Sequence, residues 1–267
     1  MGMPKIWTDF VGLPLLRHKY TNLKLTRVPV VKDIISWVLS DRDQYFYEVP
    51  IYEDIETPDN VPLPPAVVER LIDEASYQAT LNFCFCRYAL GCEDYPIDFG
   101  CTFLGEGARQ ISRKMATPVT KEEAKEHYRR SRELGLITMV GKFKGDAIGL
   151  GVRNHRQLMT VCHCCPCCCI RDAVPNGSQY YQDLFLRLDG LTVEVDPERC
   201  IGCGTCVEVC TFKQRSMVDG VAVVGEGCKG CGLCAMRCKG EATRMRIDNP
   251  DYIDEAIRRL DTHVDVR

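Results

Sequence analysis

Two runs of four cysteines with the same spacing, C-x2-C-x2-C-x3-C, occupy the C-terminal part of this 267-residue chain. At this spacing one short loop wraps around a cubane [4Fe–4S] cluster with three thiolates, and the fourth cysteine reaches a neighbouring cluster. The pattern therefore predicts two clusters and a function in electron transfer. The two runs are Cys200, Cys203, Cys206, Cys210 and Cys228, Cys231, Cys234, Cys238.

Structural zinc and disulfide bonds are the alternatives for these eight thiols. Zinc sites favour paired C-x-x-C units over two matched runs of four. Disulfide frameworks are typical of short secreted chains, whereas this chain opens at Met1 without an apolar signal region. We therefore expect a reduced, cytoplasmic environment. We expect no transmembrane segment, because no stretch approaches about 18 apolar residues.

The two runs also carry glycines in register, which permit left-handed turns and bring backbone N–H groups close to cluster sulfur. These glycines are Gly202, Gly204, Gly230 and Gly232. The region resembles the bacterial-type two-cluster ferredoxins, and the resemblance implies that the fourth cysteines are exchanged between the clusters. The implied ligand sets are Cys200, Cys203, Cys206, Cys238 and Cys228, Cys231, Cys234, Cys210.

The chain departs from these ferredoxins after the fourth cysteine, where proline is usual. Thr211 follows the first run and Lys239 follows the second, and ligation does not require the proline. Lys229 and Lys239 adjoin ligands and would raise the cluster potential by offsetting anionic charge. Arg87 directly follows Cys86 and has two interpretations, a cation beside a cluster or a surface salt bridge.

The other ten of the 18 cysteines form two further groups. The first, C-x-C-x5-C-x8-C, is Cys84, Cys86, Cys92 and Cys101. The second is Cys162, Cys164, Cys165, Cys167, Cys168 and Cys169, with His163 as a further candidate ligand. Such crowding favours metal ligation over packing as small apolar side chains. We expect one or two more iron–sulfur clusters here. Two cubanes leave two thiols, which would ligate a larger non-cubane cluster or donate hydrogen bonds to one.

The order of these motifs resembles a family of iron–sulfur proteins of anaerobes. In that family a cysteine-rich N-terminal domain precedes a two-cluster ferredoxin domain. The matching features are Phe85-Cys86-Arg87 after Cys84, Gly91-Cys92, Cys101, a helix over 120–135 and the run from Cys162. The resemblance covers residues 80–245, and it implies cluster binding and electron transfer without naming a substrate.

The composition divides the chain into four segments. They are an N-terminal arm (1–62), a cysteine-rich domain (63–175), a two-cluster ferredoxin domain (183–247) and a C-terminal helix (248–267). The main boundary falls in Asp172–Gln182, where Pro175 and Gly177 break the periodicity. The expected fold class is α+β: a mixed α/β domain with a winged-helix-like segment, followed by a ferredoxin-like domain.

Apolar periodicity predicts the individual elements. Helices are expected over 33–39, 65–80 and 120–135, and from Asn249 onward. In the first, Ile34, Ile35 and Val38 should face inward. Strands are expected over 45–51, 136–140 and 147–152, with a hairpin formed by 184–188 and 191–195. The 120–135 helix with the next two strands is the winged-helix-like unit.

Three functions are compatible with these features. The first is a multi-cluster electron carrier that serves a partner redox enzyme, with about 16 iron atoms for four cubanes or about 8 for the ferredoxin pair alone. The second is a reductive activator or redox enzyme with an N-terminal cluster as its active site, although the chain lacks a phosphate-binding loop and an evident acid–base pair. The third is a metal or redox sensor. The formal net charge of -3 disfavours nucleic acid as a partner.

Overall fold

The computed structural model describes residues 13–39, 44–52, 54–57 and 63–267. The α-helices are α1 (Leu13–Arg17), α2 (Lys19–Leu25), α3 (Pro29–Leu39), α4 (Pro65–Glu74), α5 (Phe85–Leu90), α6 (Lys121–Glu133), α7 (Lys144–Leu150), α8 (Gln179–Asp183), α9 (Thr205–Glu208), α10 (Leu233–Met236) and α11 (Tyr252–Asp261). The strands are β1 (Tyr45–Val49), β2 (Ile55–Glu56), β3 (Gln78–Leu81), β4 (Thr102–Leu104), β5 (Ala116–Pro118), β6 (Ile137–Lys142), β7 (Met159–Cys164), β8 (Phe185–Arg187), β9 (Leu191–Val195), β10 (Arg215–Val218), β11 (Val221–Val224) and β12 (Thr243–Ile247). Short 3-10 helices span Glu106–Gln110, His155–Gln157 and Ile170–Asn176.

A seven-stranded sheet in the order β5-β3-β4-β7-β6-β1-β8 supports the cysteine-rich region. Its neighbours pair antiparallel, except that β1 and β8 are parallel. Strand β6 lies between β7 and β1, and all six of its residues are buried. Strand β1 belongs to the predicted arm and β8 to the predicted ferredoxin segment. Both segments therefore complete this sheet, and the four-segment division stays a prediction.

Two smaller sheets lie in the C-terminal region, and β2 from the arm adds an edge strand to one of them. One has the order β2-β12-β9, and the other pairs β10 with β11. Strand β12 alternates buried and exposed residues, as expected for a sheet with one face in the core. Helix α11 buries Ile257 and Leu260 in the same core as Val68 and Leu71 of α4. The C-terminal helix thus packs on the region that precedes the first cysteines.

The winged-helix-like unit is not present as predicted. Residues 147–152 do not form a strand, because Lys144–Leu150 is helix α7, which buries Ala147 and Leu150 on one face and ends at the left-handed Gly151. The predicted hairpin is also wrong. Strand β8 pairs with β1, whereas β9 pairs with β12, so the link at Asp189-Gly190 carries the chain from one sheet to another.

Several helix boundaries differ from the expected ones. The helix predicted over 65–80 ends at Glu74, and Gln78–Leu81 is strand β3. Helix α3 begins at Pro29 and leaves Ile34 59% exposed, so the prediction that this side chain faces inward is wrong. Helix α11 begins at Tyr252, two residues after Pro250. Among the described residues, no helix is long and apolar enough to cross a membrane.

Helix α6 begins with a capping box, which the T-x-x-E spacing of Thr120 and Glu123 predicts from the sequence. Thr120 Oγ1 accepts a hydrogen bond from the Glu123 N–H at 3.1 Å, and Glu123 Oε2 accepts one from the Thr120 N–H at 2.8 Å. We expect Thr120→Ala to lower the free energy of unfolding by about 1 kcal/mol, because an N–H of the first turn loses its acceptor. Thermal unfolding should show a midpoint roughly 3 °C lower. Glu123→Gln, which can keep the box, is the control, and an unchanged midpoint for Thr120→Ala would contradict the expectation.

Candidate metal centres

The first ferredoxin cavity lies between the loops that precede α9 and β12. Four thiols line it, those of Cys200, Cys203, Cys206 and Cys238. The backbone N–H groups of Ala222 and Ala242 donate to the Sγ atoms of Cys200 and Cys238 at 3.5 and 3.2 Å. The structure therefore brings the last cysteine of the second run to the first three of the first run.

The second ferredoxin cavity combines the last cysteine of the first run with the first three of the second run. The thiols that line it are those of Cys210, Cys228, Cys231 and Cys234. The Gln214 N–H donates to Cys210 Sγ at 3.2 Å, and Arg215 Nη2 donates to Cys234 Sγ at 2.9 Å. Donation of N–H groups to ligand sulfur is a common feature around iron–sulfur clusters and tunes their potential.

Matched glycines shape both loops. Gly204 and Gly232 immediately precede α9 and α10 with φ angles of 72° and 80°. Other residues rarely adopt this left-handed conformation. A Cβ at Gly232 would also lie 2.9 Å from the backbone N of Tyr52, in the arm. The close approach of the arm therefore depends on glycine at this position.

Arg215 provides a test of whether these cavities fit an anionic cluster. Its side chain is only 5% exposed, and it contributes positive charge beside Cys206 of the first set as well as Cys234 of the second. Its Nε and Nη1 atoms have no hydrogen-bond partner among the described residues. A buried guanidinium with unused donors is costly unless an anion accompanies it. The residues present thus fit two negatively charged clusters.

The ten remaining cysteines form two groups in space that differ from the two groups in the sequence. Four of them, the four-cysteine group, have Sγ atoms all within 4.8 Å of one another: Cys92, Cys165, Cys167 and Cys168. The other six, the six-cysteine chain, follow one another through thiol contacts: Cys101, Cys162, Cys164, Cys169, Cys86 and Cys84. The structure therefore does not assemble Cys84, Cys86, Cys92 and Cys101 as one set of four.

Three members of the six-cysteine chain are placed by the large sheet. Strands β4 and β7 pair Thr102 with Val161, and the same register puts Cys101 opposite Cys162, with Sγ atoms 3.5 Å apart. Cys164 lies two residues beyond Cys162, so both side chains share one face of β7. The thiols of these two residues contact each other.

The other three members come from outside the strands. Cys169 follows the turn after β7, and its Sγ lies 2.9 Å from that of Cys164. Cys86 on α5 makes thiol hydrogen bonds to Cys169 and Cys84. The bond from Cys86 lowers the pKa of Cys84 to about 7, and the bond with Cys164 holds the pKa of Cys169 well below its usual value. Both cysteines are thus biased toward the thiolate, the form that binds metal.

His163 lies on the opposite face of β7 from the six-cysteine chain. Its ring packs near Phe99 and His127, with centroids 5.7 and 5.1 Å away, and its Nε2 is 3.3 Å from Thr102 Oγ1. Burial lowers its pKa, which keeps the imidazole neutral. The structure does not bring this predicted candidate ligand to the sulfur atoms.

Arg87 is fully buried between the two sulfur groups, which excludes the surface salt bridge. Its guanidinium donates to the carbonyl oxygens of Pro96 and His163 at 2.9 Å each and also to that of Phe99. It makes a further hydrogen bond to the thiol of Cys165. Its charge is therefore fixed beside thiols from both groups.

A second buried arginine, Arg171, which no sequence motif singles out, joins the N-terminal sheet to the ferredoxin loops. Its Nε donates to both carboxylate oxygens of Glu48 at 2.8 and 3.0 Å, and its Nη1 donates to Thr211 Oγ1 at 2.9 Å. The guanidinium also lies 4.8 Å from the ring centroid of Phe212. Its position two residues after Cys169 was the available signal, but the Glu48 partner was not visible in the sequence.

Lys19, which no sequence motif singles out, ties the arm to the cysteine-rich turn after β7. Its Nζ is buried and donates to the carbonyl oxygens of Cys168 and Cys169 at 3.0 and 2.7 Å, and to Asp172 Oδ1 at 2.9 Å. Helix α2 is therefore fixed directly over the cysteine-rich turn. No sequence signal pointed to this contact.

Comparisons with known proteins support cluster binding in the ferredoxin region. The family described as "4Fe-4S binding domain" matches residues 193–213, which contain the first cysteine run. A stretch of 38 residues is 55% identical to one subunit of the ferredoxin:CoB-CoM heterodisulfide reductase of Methanosarcina mazei, covering 14% of this chain and 5% of that protein. No solved structure matches the chain. The chain therefore contains a 4Fe-4S binding domain, and its similarity points to iron–sulfur electron transfer.

Proposed function

We propose that this protein is a multi-cluster iron–sulfur electron-transfer protein. It relays electrons between a cluster on the six-cysteine chain and a partner redox protein, through two [4Fe–4S] clusters in the ferredoxin cavities. When bound, such clusters supply one-electron redox chemistry. The similarity to part of a heterodisulfide reductase supports a redox enzyme as the partner.

The observation that carries the proposal is one apolar core shared by the two regions. Cys164 and Cys169 lie in this core together with Phe212 and Leu233 of the ferredoxin loops, and Cys231 packs against it. The second ferredoxin set is thus next to the six-cysteine chain, across a shared apolar core. An apolar shell of this kind controls solvent access and local dielectric around a cluster.

Two buried arginines, Arg171 and Arg215, lie along the same path. Arg171 lies close enough to interact electrostatically with Cys164 and Cys231. Arg215 interacts in the same way with Cys206 and Cys234, where its charge favours the thiolate form. These guanidinium groups offset anionic charge at each stage. Buried cations of this kind hold reduction potentials above those of the bare anionic sites.

The first ferredoxin set lies at the surface end of the path. Cys203 is exposed, and the side chain of its neighbour Ile201 is 65% exposed. A partner that approaches here comes closest to the first cluster. The second set, whose Cys231 packs in the shared core, lies on the inner side.

Metal analysis of anaerobically purified protein is the first test. The ferredoxin pair alone requires about 8 iron atoms per protein molecule. A further cluster on the six-cysteine chain raises the requirement to at least about 12. A value near 8 would restrict the function to that of a ferredoxin. A value near zero, with zinc in its place, would reject iron–sulfur electron transfer.

The order of the relay has its own test. Cys203→Ala/Cys206→Ala should remove the surface cluster, and reduction of the six-cysteine site by a large protein reductant should then slow while its iron is retained. Val30→Ala, which changes an exposed side chain on α3 and keeps every cysteine, is the control. Rapid-freeze EPR measures the reduction of the six-cysteine site. If the double variant reduces this site at an unchanged rate, electrons enter elsewhere.

A further inference from the structure

The four-cysteine group is more compact than the other thiol sets. Its Sγ atoms all lie within 4.8 Å of one another, and those of Cys92 and Cys167 are 3.7 Å apart. No other group of three or more metal-ligating side chains meets this distance within residues 13–39, 44–52, 54–57 and 63–267. Neither ferredoxin set, both of which lie within these residues, brings three of its sulfur atoms this close together.

These distances fit a single metal ion. Four thiolates around one tetrahedral Zn²⁺, with bonds of about 2.3 Å, place their sulfur atoms roughly 3.8 Å apart. In a cubane each thiolate binds a different iron atom, so the four sulfur atoms stand further from one another. The ferredoxin sets provide the internal comparison, because their wider spacing suits the larger group.

The local backbone is that of a built site. Cys165 and Cys168 form a C-x-x-C unit in the turn after β7, and the Cys168 N–H donates to Cys165 Sγ at 3.3 Å. Cys167 adds a third thiol from the same turn. Cys92 follows the left-handed Gly91 that ends α5, and its N–H donates to the Arg87 carbonyl at 2.9 Å. Paired C-x-x-C spacing is characteristic of structural zinc sites. The N–H donation to sulfur fits a metal ligand and is shared with the ferredoxin cavities.

Charge and access also suit a divalent cation. The buried Arg87 hydrogen-bonds the Cys165 thiol and compensates part of the charge that four thiolates would carry. An open cleft lined by Glu93, Asp94 and Asp98 reaches the group at Cys92. Its carboxylates attract cations toward the thiols and give an ion a route from solvent.

We propose that the four-cysteine group binds one Zn²⁺ ion in a structural site that is separate from the iron–sulfur clusters. Each thiol that becomes a ligand releases its proton, and no electron is transferred. The ion would fix the turn from Cys165 to Cys168 and thereby hold Cys164 and Cys169, on either side of it, in the six-cysteine chain. The ten N-terminal cysteines then serve two different metals.

Zinc and iron content of full-length variants tests the proposal. Cys92→Ser/Cys168→Ser should lose about one zinc ion per chain and keep its iron. The matched control, Cys203→Ser/Cys206→Ser, should lose about four iron atoms and keep its zinc. Loss of iron from the first variant, without loss of zinc, would overturn the assignment.

A measurement on the unmodified protein covers the case in which the first variant fails to fold. X-ray absorption at the zinc edge should show four sulfur neighbours at about 2.3 Å and no iron neighbour. Absence of zinc after purification in zinc-containing medium, or a shell of nitrogen and oxygen atoms, would reject the site. Neither result depends on electron-transfer activity, so the proposed function is tested separately.

Discussion

Arg171→Met is expected to lower the thermal unfolding midpoint by roughly 10 °C. Arg171 and Glu48 form an ion pair with side chains that are 1% and 0% exposed. Removal of one partner leaves the other charge buried and uncompensated, which costs about 3–5 kcal/mol. For a chain of this size, each kcal/mol lowers the midpoint by about 2–4 °C. The loss should be measured anaerobically on protein with its full metal content.

The variant should also become more sensitive to pH. Burial raises the pKa of Glu48, even though the Arg171 charge opposes the shift. Without Arg171 the pKa rises further, so the folded state holds the proton more tightly than the unfolded state does. The stability deficit should therefore be smallest at acidic pH, and it should grow as the pH rises from the unfolded pKa of about 4.3 toward the folded value.

The double variant Glu48→Leu/Arg171→Met separates the charge effect from loss of packing. Replacement of both members of a buried ion pair by apolar residues is often neutral. Most of the lost stability should then return, and the coupling between the two sites should appear as a large non-additive contribution. A double variant as unstable as Arg171→Met alone would show that Thr211 and Phe212, rather than Glu48, make the important contacts.

Crossed ligation in the ferredoxin domain predicts a second large effect, on metal content. Cys203→Ala/Cys238→Ala removes two thiols from one cavity and should cost about four iron atoms. Cys203→Ala/Cys210→Ala removes one thiol from each cavity and should affect both clusters, with a loss of up to about eight. The two variants have the same number of substitutions, so each controls for the other.

Uncrossed ligation would give the reverse result. If each run of four held its own cluster, Cys203→Ala/Cys210→Ala would affect one cluster and Cys203→Ala/Cys238→Ala would affect two. Iron and inorganic sulfide should be measured with EPR spectra of the reduced proteins. Loss of the magnetic interaction between two reduced clusters is expected in both variants, whereas the iron content distinguishes the two schemes.

The sequence predicted best where a pattern is local. The capping box at Thr120 and Glu123 depends on residues three apart, and the structure forms it as expected. The 147–152 segment shows the opposite case. Its short run of apolar and small residues suits either a strand or a helix, and the burial of Ala147 and Leu150 decides for helix α7. Likewise, the Asp189-Gly190 turn between two apolar runs is typical of a hairpin. It cannot reveal that β8 and β9 belong to different sheets.

The cysteine spacing by itself determined that the C-terminal loops can hold [4Fe–4S] clusters, because short loops place their ligands by local geometry. Only the tertiary structure decided how the other ten thiols associate, since Cys92 meets Cys165, Cys167 and Cys168 through the packing of α5 against the turn after β7. The partners of Arg171 were settled in the same way. Burial makes such charge contacts strong, and burial is a property of the whole fold rather than of any segment.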